Sequence, residues 1–252
     1  MPDIEIMDNL VLAGLFVLLA TSIGSVIAVI FKRLPEWGLD FSMAFSGGVM
    51  LVAAFTSLIL PSIHMGHIGN TLLGIVVGFL VIYLIERFTP HEEYVLKINK
   101  SNIEKEKLKG VFLIVSAIII HNIPEGMAVG VSMANDVDKG WATAVAIGIQ
   151  DIPEGLAVSL PLIMLTDRLW IPVFIGILSG FSEFVFTILG GFTFSVLSFM
   201  LPFGLAFAGG AMIYVTVKEV FPQVYRNKHE SIVTFGFLIG LLLMLYLDTT
   251  LG

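Results

Sequence analysis

Apolar stretches of roughly 20 residues recur along the chain, each closed by charged or turn-forming positions, and that is the length a helix needs to cross a ~30 Å hydrocarbon core. The pattern predicts eight membrane-spanning helices, near residues 9–31, 39–61, 68–88, 109–132, 139–164, 170–192, 198–221 and 231–250. The sixth and seventh are parted only by a short apolar turn around residues 193–199. One connection is long: residues 89–108 are polar and mixed in charge, and read as a solvated loop rather than as a domain. The expectation is one transmembrane domain over residues 1–252, all-α and polytopic.

Composition points to the same solvent. Hydrophobic residues make up 57% of the chain and charged residues 13%, with a mean hydropathy of +0.97, whereas about a quarter of the residues of a soluble domain are charged. The lipid bilayer is therefore the first partner, the plasma membrane the expected location, and nucleic acid is not expected. The basic residues then give orientation, because Lys and Arg near span ends are held on the cytoplasmic side. Lys32 and Arg33 follow the first span; Arg87, Lys97, Lys100, Lys105, Lys107 and Lys109 fill the long loop; Arg168 follows the fifth; Lys218, Arg226 and Lys228 surround the end of the seventh. Of 13 basic residues only Lys139 falls on the opposite side, and this alternation places both termini outside the cytoplasm. The first ten residues carry acids and no Lys or Arg, so no basic flank of a cleavable signal peptide precedes the first span. With no cysteine, disulfides and thiolate ligands are both excluded.

Function should lie where the pattern is broken, because a charge at mid-bilayer costs ~2.5–3.5 kcal/mol even on the lenient insertion scale. Glu125, Asp151, Glu154 and Glu183 all fall deep inside spans, and no Lys or Arg falls at comparable depth. Lys218 is nearest, in the last turn of its span, where a long side chain reaches the surface. Buried acids without basic partners must be protonated, hydrated or paired with a cation from outside the chain.

Depth and spacing bring these residues together. At 1.5 Å per residue, His121 lies roughly 18 Å into the fourth span from the cytoplasmic side and Gln150 roughly 17 Å into the fifth from the external side. Glu183 on the sixth and Met50 on the second reach similar levels. The blocks HNIPEG (121–126) and QDIPEG (150–155) repeat one arrangement: imidazole or amide, a polar neighbour, Pro, Glu and Gly. His121 with Glu125, and Gln150 with Glu154, are four apart and share a helix face; Asn122 and Asp151, about 100° around, can face a second centre. Pro124 and Pro153 remove backbone donors and free a carbonyl beside the ligands, while Gly126 and Gly155 allow a neighbouring helix to approach. An imidazole, two amides, four carboxylates and a thioether suit zinc, iron(II), manganese or cadmium, and not magnesium, calcium or copper(I).

HNIPEG and QDIPEGLAV, with SGFSEF around Glu183 and SGGVML around Met50, make the chain resemble, over essentially its whole length, the ZIP (Zrt/Irt-like) divalent-metal transporters. The resemblance implies an eight-span bundle with external termini that carries zinc and related ions, as substrate and not as cofactor, toward the cytoplasm. It implies a two-metal site lined by Met50, His121, Asn122, Glu125, Gln150, Asp151, Glu154 and Glu183, with Glu125 and Glu154 bridging the ions. Two positions depart from relatives: Gln150 stands where many carry a His, and Lys218 where some do. The departure at Lys218 leaves Glu219 alone as an exit ligand.

Two other classes are weighed. An intramembrane metalloenzyme predicts HExxH or paired ExxH motifs, which are absent here. A proton-coupled carrier of organic solutes would use the same acids as relays. His64, His67, Asp136 and Asp138 at the external ends could attract cations, and His91 in the long loop is a further candidate ligand. Small-residue pairs, Gly24 with Ala28 and Gly74 with Gly78, allow close packing within the bundle or between the protomers of a homodimer.

Overall fold

Long helices account for nearly all of the chain that the computed structural model describes, namely residues 4–31, 35–65, 68–88, 120–165, 168–225 and 229–251. In order these are α1 (Ile4–Phe31), α2 (Glu36–His64), α3 (Ile68–Phe88), α4 (residues 120–135), α5 (Val137–Leu165), α6 (Trp170–Val196), α7 (residues 201–224) and α8 (Glu230–Thr250). A single 3₁₀ turn, Ser198–Met200, separates α6 from α7. Among the described residues there is no strand. Six of the helices are long and apolar enough to cross a membrane. The other two are α4, of which only residues 120–135 are described, and α5, which carries the second polar block. The protein is an all-α, multi-pass membrane protein.

Helix ends overrun the apolar stretches that announce them: α1 begins at Ile4 and α6 continues to Val196. Hydropathy marks where lipid contact stops, whereas backbone hydrogen bonding continues into the interface until a turn breaks it. The long loop with His91, the first part of the fourth span, and His67, Lys32, Arg33, Arg226 and Lys228 all lie outside the described residues.

The distribution of polarity is inverted relative to a soluble bundle. Outward faces are Leu, Ile, Val and Phe, such as Leu72, Leu73, Val76 and Leu80 on α3, while Thr21, Ser25, Ser132, Thr143, Ser159 and Thr187 are buried. Without a hydrophobic drive between helices in lipid, association depends on close packing of small residues and on interhelical hydrogen bonds. Accordingly α1 packs along α5 and α6, α4 along α6, α3 along α7 and α2 along α8. The α2–α5 contact joins the α1, α4, α5, α6 group to the α2, α3, α7, α8 group.

Glycines mark these crossings. A Cβ on Gly24 would overlap the Ile152 carbonyl of α5, and one on Gly78 the Phe207 carbonyl of α7. Ala28 is fully buried, and a Cβ on Gly74 would lie 2.7 Å from the Phe203 carbonyl oxygen. Both small-residue pairs therefore serve packing within one chain. Polar ties reinforce one end of the bundle: Trp141 Nε1 donates to Asn9 Oδ1 (2.9 Å), and Ser62 Oγ to the Pro202 carbonyl (2.6 Å).

Asp136, one of the acids expected to face outside, has a structural task. It lies between α4 and α5, where its Oδ1 accepts from Lys139 N at 3.1 Å, an N-cap bond on the first turn of α5. Asp136→Ala is therefore expected to lower stability by about 1 kcal/mol and to leave the zinc concentration for half-maximal uptake unchanged. A raised half-maximal concentration would instead assign Asp136 to ion attraction.

Candidate metal centre

The two motif blocks meet because α4 and α5 run antiparallel through the interior. Both helices continue through Pro124 and Pro153, so the ligand spacing within each block remains that of a helix face. Gly126 sets the distance between α4 and α6: a Cβ there would lie 2.5 Å from the Glu183 carbonyl oxygen. Gly155 does the same between α5 and α1, where an added Cβ would overlap the Thr21 carbonyl. Close backbone contact is what carries short carboxylates from three helices to one point.

Two groups of ligand-type atoms result, each with its members within 4.8 Å of one another: His121, Glu125 and Glu154, and Glu125, Asp151 and Glu183. Glu125 belongs to both, while Glu154 falls with the first alone. Asn122, Glu125, Gln150 and Asp151 are fully buried, Glu183 is 1% exposed and Glu154 7%. No Lys or Arg pairs with any of the four acids among the described residues. Lys218 instead pairs with Glu86 at 3.5 Å and is half exposed, as its place near the end of α7 predicts.

Neighbouring groups orient the polar side chains. Gln150 Nε2 donates to Glu125 Oε1 (2.5 Å), and Asn122 Nδ2 donates to the Ser179 carbonyl (2.8 Å) and Oγ (2.7 Å). Each amide thereby commits its nitrogen and turns its oxygen away. Asn122 Oδ1, Glu125 Oε2, Gln150 Oε1, both oxygens of Asp151 and Glu183 Oε1 are buried and have no hydrogen-bond donor among the described residues. These are lone-pair donors to a Lewis acid, gathered where buried polar atoms are ordinarily satisfied.

His121 and Met50 extend the set. His121 Nδ1 lies 3.3 Å from Glu219 Oε2; with the proton of the neutral ring on Nδ1 and directed at that carboxylate, Nε2 keeps a free lone pair. Met50 is buried on α2, and its Sδ has Thr216 Oγ1 at 3.9 Å. One turn before Met50, Ser46 Oγ donates to the Gln150 carbonyl at 3.3 Å, which ties α2 to α5 at the level of the second block.

Several residues were not legible as part of this centre. Position along α7 separates Glu219 from the midplane, yet it touches His121. It sits in a π-helical turn, Thr216–Val220, and α2 carries another, Ala54–Ile59, just beyond Met50; such turns are common at functional sites. Thr21, Ser46 and Ser179 are single small polar residues of a kind that membrane helices carry routinely, and only their partners distinguish them. Of the external candidates, His64 is exposed in the last turn of α2 and Asp138 in the first turn of α5. Asp248 on α8 accepts from Ser57 Oγ at 3.0 Å on that side.

A bundle of long apolar helices around a buried pair of carboxylate-rich clusters defines a class, the polytopic membrane proteins with an intramembrane cation-type centre. Comparison with known proteins then identifies the family. A family model described as ZIP zinc transporter matches residues 91–248. The chain is 36% identical to the zinc transporter ZIPB of Bordetella bronchiseptica, with 96% of this chain and 81% of that protein covered. It is 37% identical to the zinc transporter GufA of Myxococcus xanthus, covering 78% and 80%, and 34% identical to the zinc transporter ZupT of Chlorobaculum parvum, covering 90% and 91%. The chain belongs to the ZIP zinc transporter family, a family of transporters and not of enzymes.

Proposed function

We propose that the protein carries divalent transition-metal ions, zinc foremost, across the plasma membrane toward the cytoplasm through a centre that holds two ions. The observation that carries this reading is the set of buried amide and carboxylate oxygens without donors, gathered around Glu125. His121, Glu125, Gln150 and Glu154 hold one ion, Asn122, Glu125, Asp151 and Glu183 hold the other, and Met50 lines the centre from α2. Borderline ions accept this mixture of imidazole, carboxylate, amide and thioether, so cadmium, iron(II) and manganese are further substrates. The names of the relatives favour zinc among them.

Charge supports the count. Four buried carboxylates, when ionised, carry −4, which two divalent ions balance and one leaves half uncompensated. In a site of low dielectric an uncompensated charge is expensive, so the loaded centre is close to neutral and the ions stabilise the packing around it. Glu219, touching His121 and 27% exposed, takes the ion on its way inward.

The test is uptake of zinc, cadmium, manganese and iron(II) into liposomes holding the purified protein, with Glu154→Ala as comparison. Zinc uptake by the wild type and its loss in Glu154→Ala are expected. Absence of uptake of every metal, or equal uptake by the variant, would overturn the proposal.

A further inference from the structure

The helix α1 supplies none of the expected ligands, yet one of its side chains touches the centre directly. Thr21, 1% exposed, donates from Oγ1 to Glu183 Oε2 at 2.8 Å. The other oxygen of that carboxylate, Oε1, is buried and has no donor among the described residues. We infer that Thr21 is a positioning residue for the half of the centre built from Asp151 and Glu183: its hydroxyl holds one Glu183 oxygen and so presents the other to the metal ion. The inference rests on the two-ion reading above and extends the machinery to a fourth helix of the α1, α4, α5, α6 group.

Three features make this more than a packing contact. The first is the choice of acceptor. A hydroxyl has one hydrogen, and Thr21 Oγ1 also lies 3.0 Å from the Val17 carbonyl one turn back. A bond to a carboxylate is roughly twice as strong as one between neutral groups, so the hydrogen goes to Glu183 while that side chain is ionised and in place. When Glu183 turns both oxygens to an ion, the Val17 carbonyl receives the hydrogen and no buried donor is stranded. A small rotation of one hydroxyl thus replaces the cost of an unsatisfied buried group, which suits a ligand that must both hold and release.

The second feature is rigidity. Thr21 is β-branched, so its χ1 is restricted, and its backbone is clamped where α1 crosses the two helices that bear the ligands. A Cβ on Gly155 of α5 would overlap the Thr21 carbonyl, and one on Gly180 of α6 would lie 2.8 Å from the Leu18 carbonyl. Ser25 Oγ, one turn on, lies 3.3 Å from the Gly155 carbonyl. The third is charge. A hydroxyl orients a carboxylate without bringing a positive group that would compete with the ion, as Lys or Arg would. Ser179 treats Asn122 likewise, accepting at Oγ and at its carbonyl from the amide nitrogen so that Oδ1 is left for the ion.

The test uses the purified full chain in detergent, with zinc affinity measured by competition against a chelating dye. The wild type is expected to bind two ions. Thr21→Val keeps the shape and removes the donor, and is expected to weaken one ion by about tenfold, at the lower edge of the loss found for outer-shell partners, with the other ion unchanged. Thr21→Ser keeps the donor and is expected to bind as the wild type does. The inference is overturned if Thr21→Val binds both ions normally, if it weakens both alike, or if Thr21→Ser is as weak as Thr21→Val. Should Thr21→Val not fold, Thr21→Ala is read by the same criteria. A wild type that binds no divalent metal overturns the transport site itself, and that result is separate because it is read before any variant.

Discussion

Glu125→Ala is expected to reduce zinc uptake by about a hundredfold or more, the upper end of what the loss of an outer-shell partner causes, because this residue is a proposed ligand of both ions. Glu125 is the only side chain common to the two clusters, it is fully buried, and it accepts from Gln150 Nε2. Its removal takes a ligand from each ion, frees the Gln150 amide from its orienting bond and leaves three buried carboxylates, −3 in all, against the +4 of two ions. Single-cluster residues such as Glu154 should cost less than Glu125 in metal affinity, even where each suffices to stop transport. Zinc uptake in liposomes, with bound zinc counted on the purified variant, checks this. A Glu125→Ala protein that still binds two ions with wild-type affinity would remove Glu125 from the shared position.

Gly126→Val is expected to lower stability by roughly 1–3 kcal/mol or more, as overpacking does in a close-packed interior, and to abolish uptake although no proposed ligand is altered. A Cβ at this position lies 2.5 Å from the Glu183 carbonyl oxygen and 2.9 Å from Phe186 Cβ. The first is backbone and cannot rotate away, so α4 must move off α6. That displacement separates Glu125 from Glu183 and opens the second cluster. Gly69 is the control: it lies in the first turn of α3 with nothing within 4 Å of an added Cβ, so Gly69→Ala should leave both stability and uptake near wild type. Thermal unfolding in detergent together with zinc uptake measures both effects. Equal behaviour of the two variants would mean that the α4–α6 approach does not set the geometry of the centre.

The bilayer, the helical class and the two polar blocks were all legible from one dimension, because lipid imposes its rules locally. Every backbone group must be satisfied within its own helix, and a span must be apolar over a fixed length. A His or Glu in such a run is therefore conspicuous without knowledge of its neighbours, as His121, Glu125, Asp151, Glu154 and Glu183 are. Helical spacing also put His121 beside Glu125, since residues four apart share a face wherever the helix lies, but it could not show that Gln150 bonds Glu125 of the other block.

Contacts between helices were decided only by the tertiary structure. Glu125 rather than Glu154 is the carboxylate common to both clusters, and nothing in two nearly identical blocks distinguishes them; Gly126 of the first block abuts α6, which bears Glu183, whereas Gly155 of the second abuts α1. Glu219 meets His121 although it lies near the end of α7, in the irregular turn Thr216–Val220. The roles of Thr21, Ser46 and Ser179 depend on which helix crosses theirs and at what height. Local chemistry thus specified the ligand types and their depth, and close packing at the glycine crossings specified which of them meet.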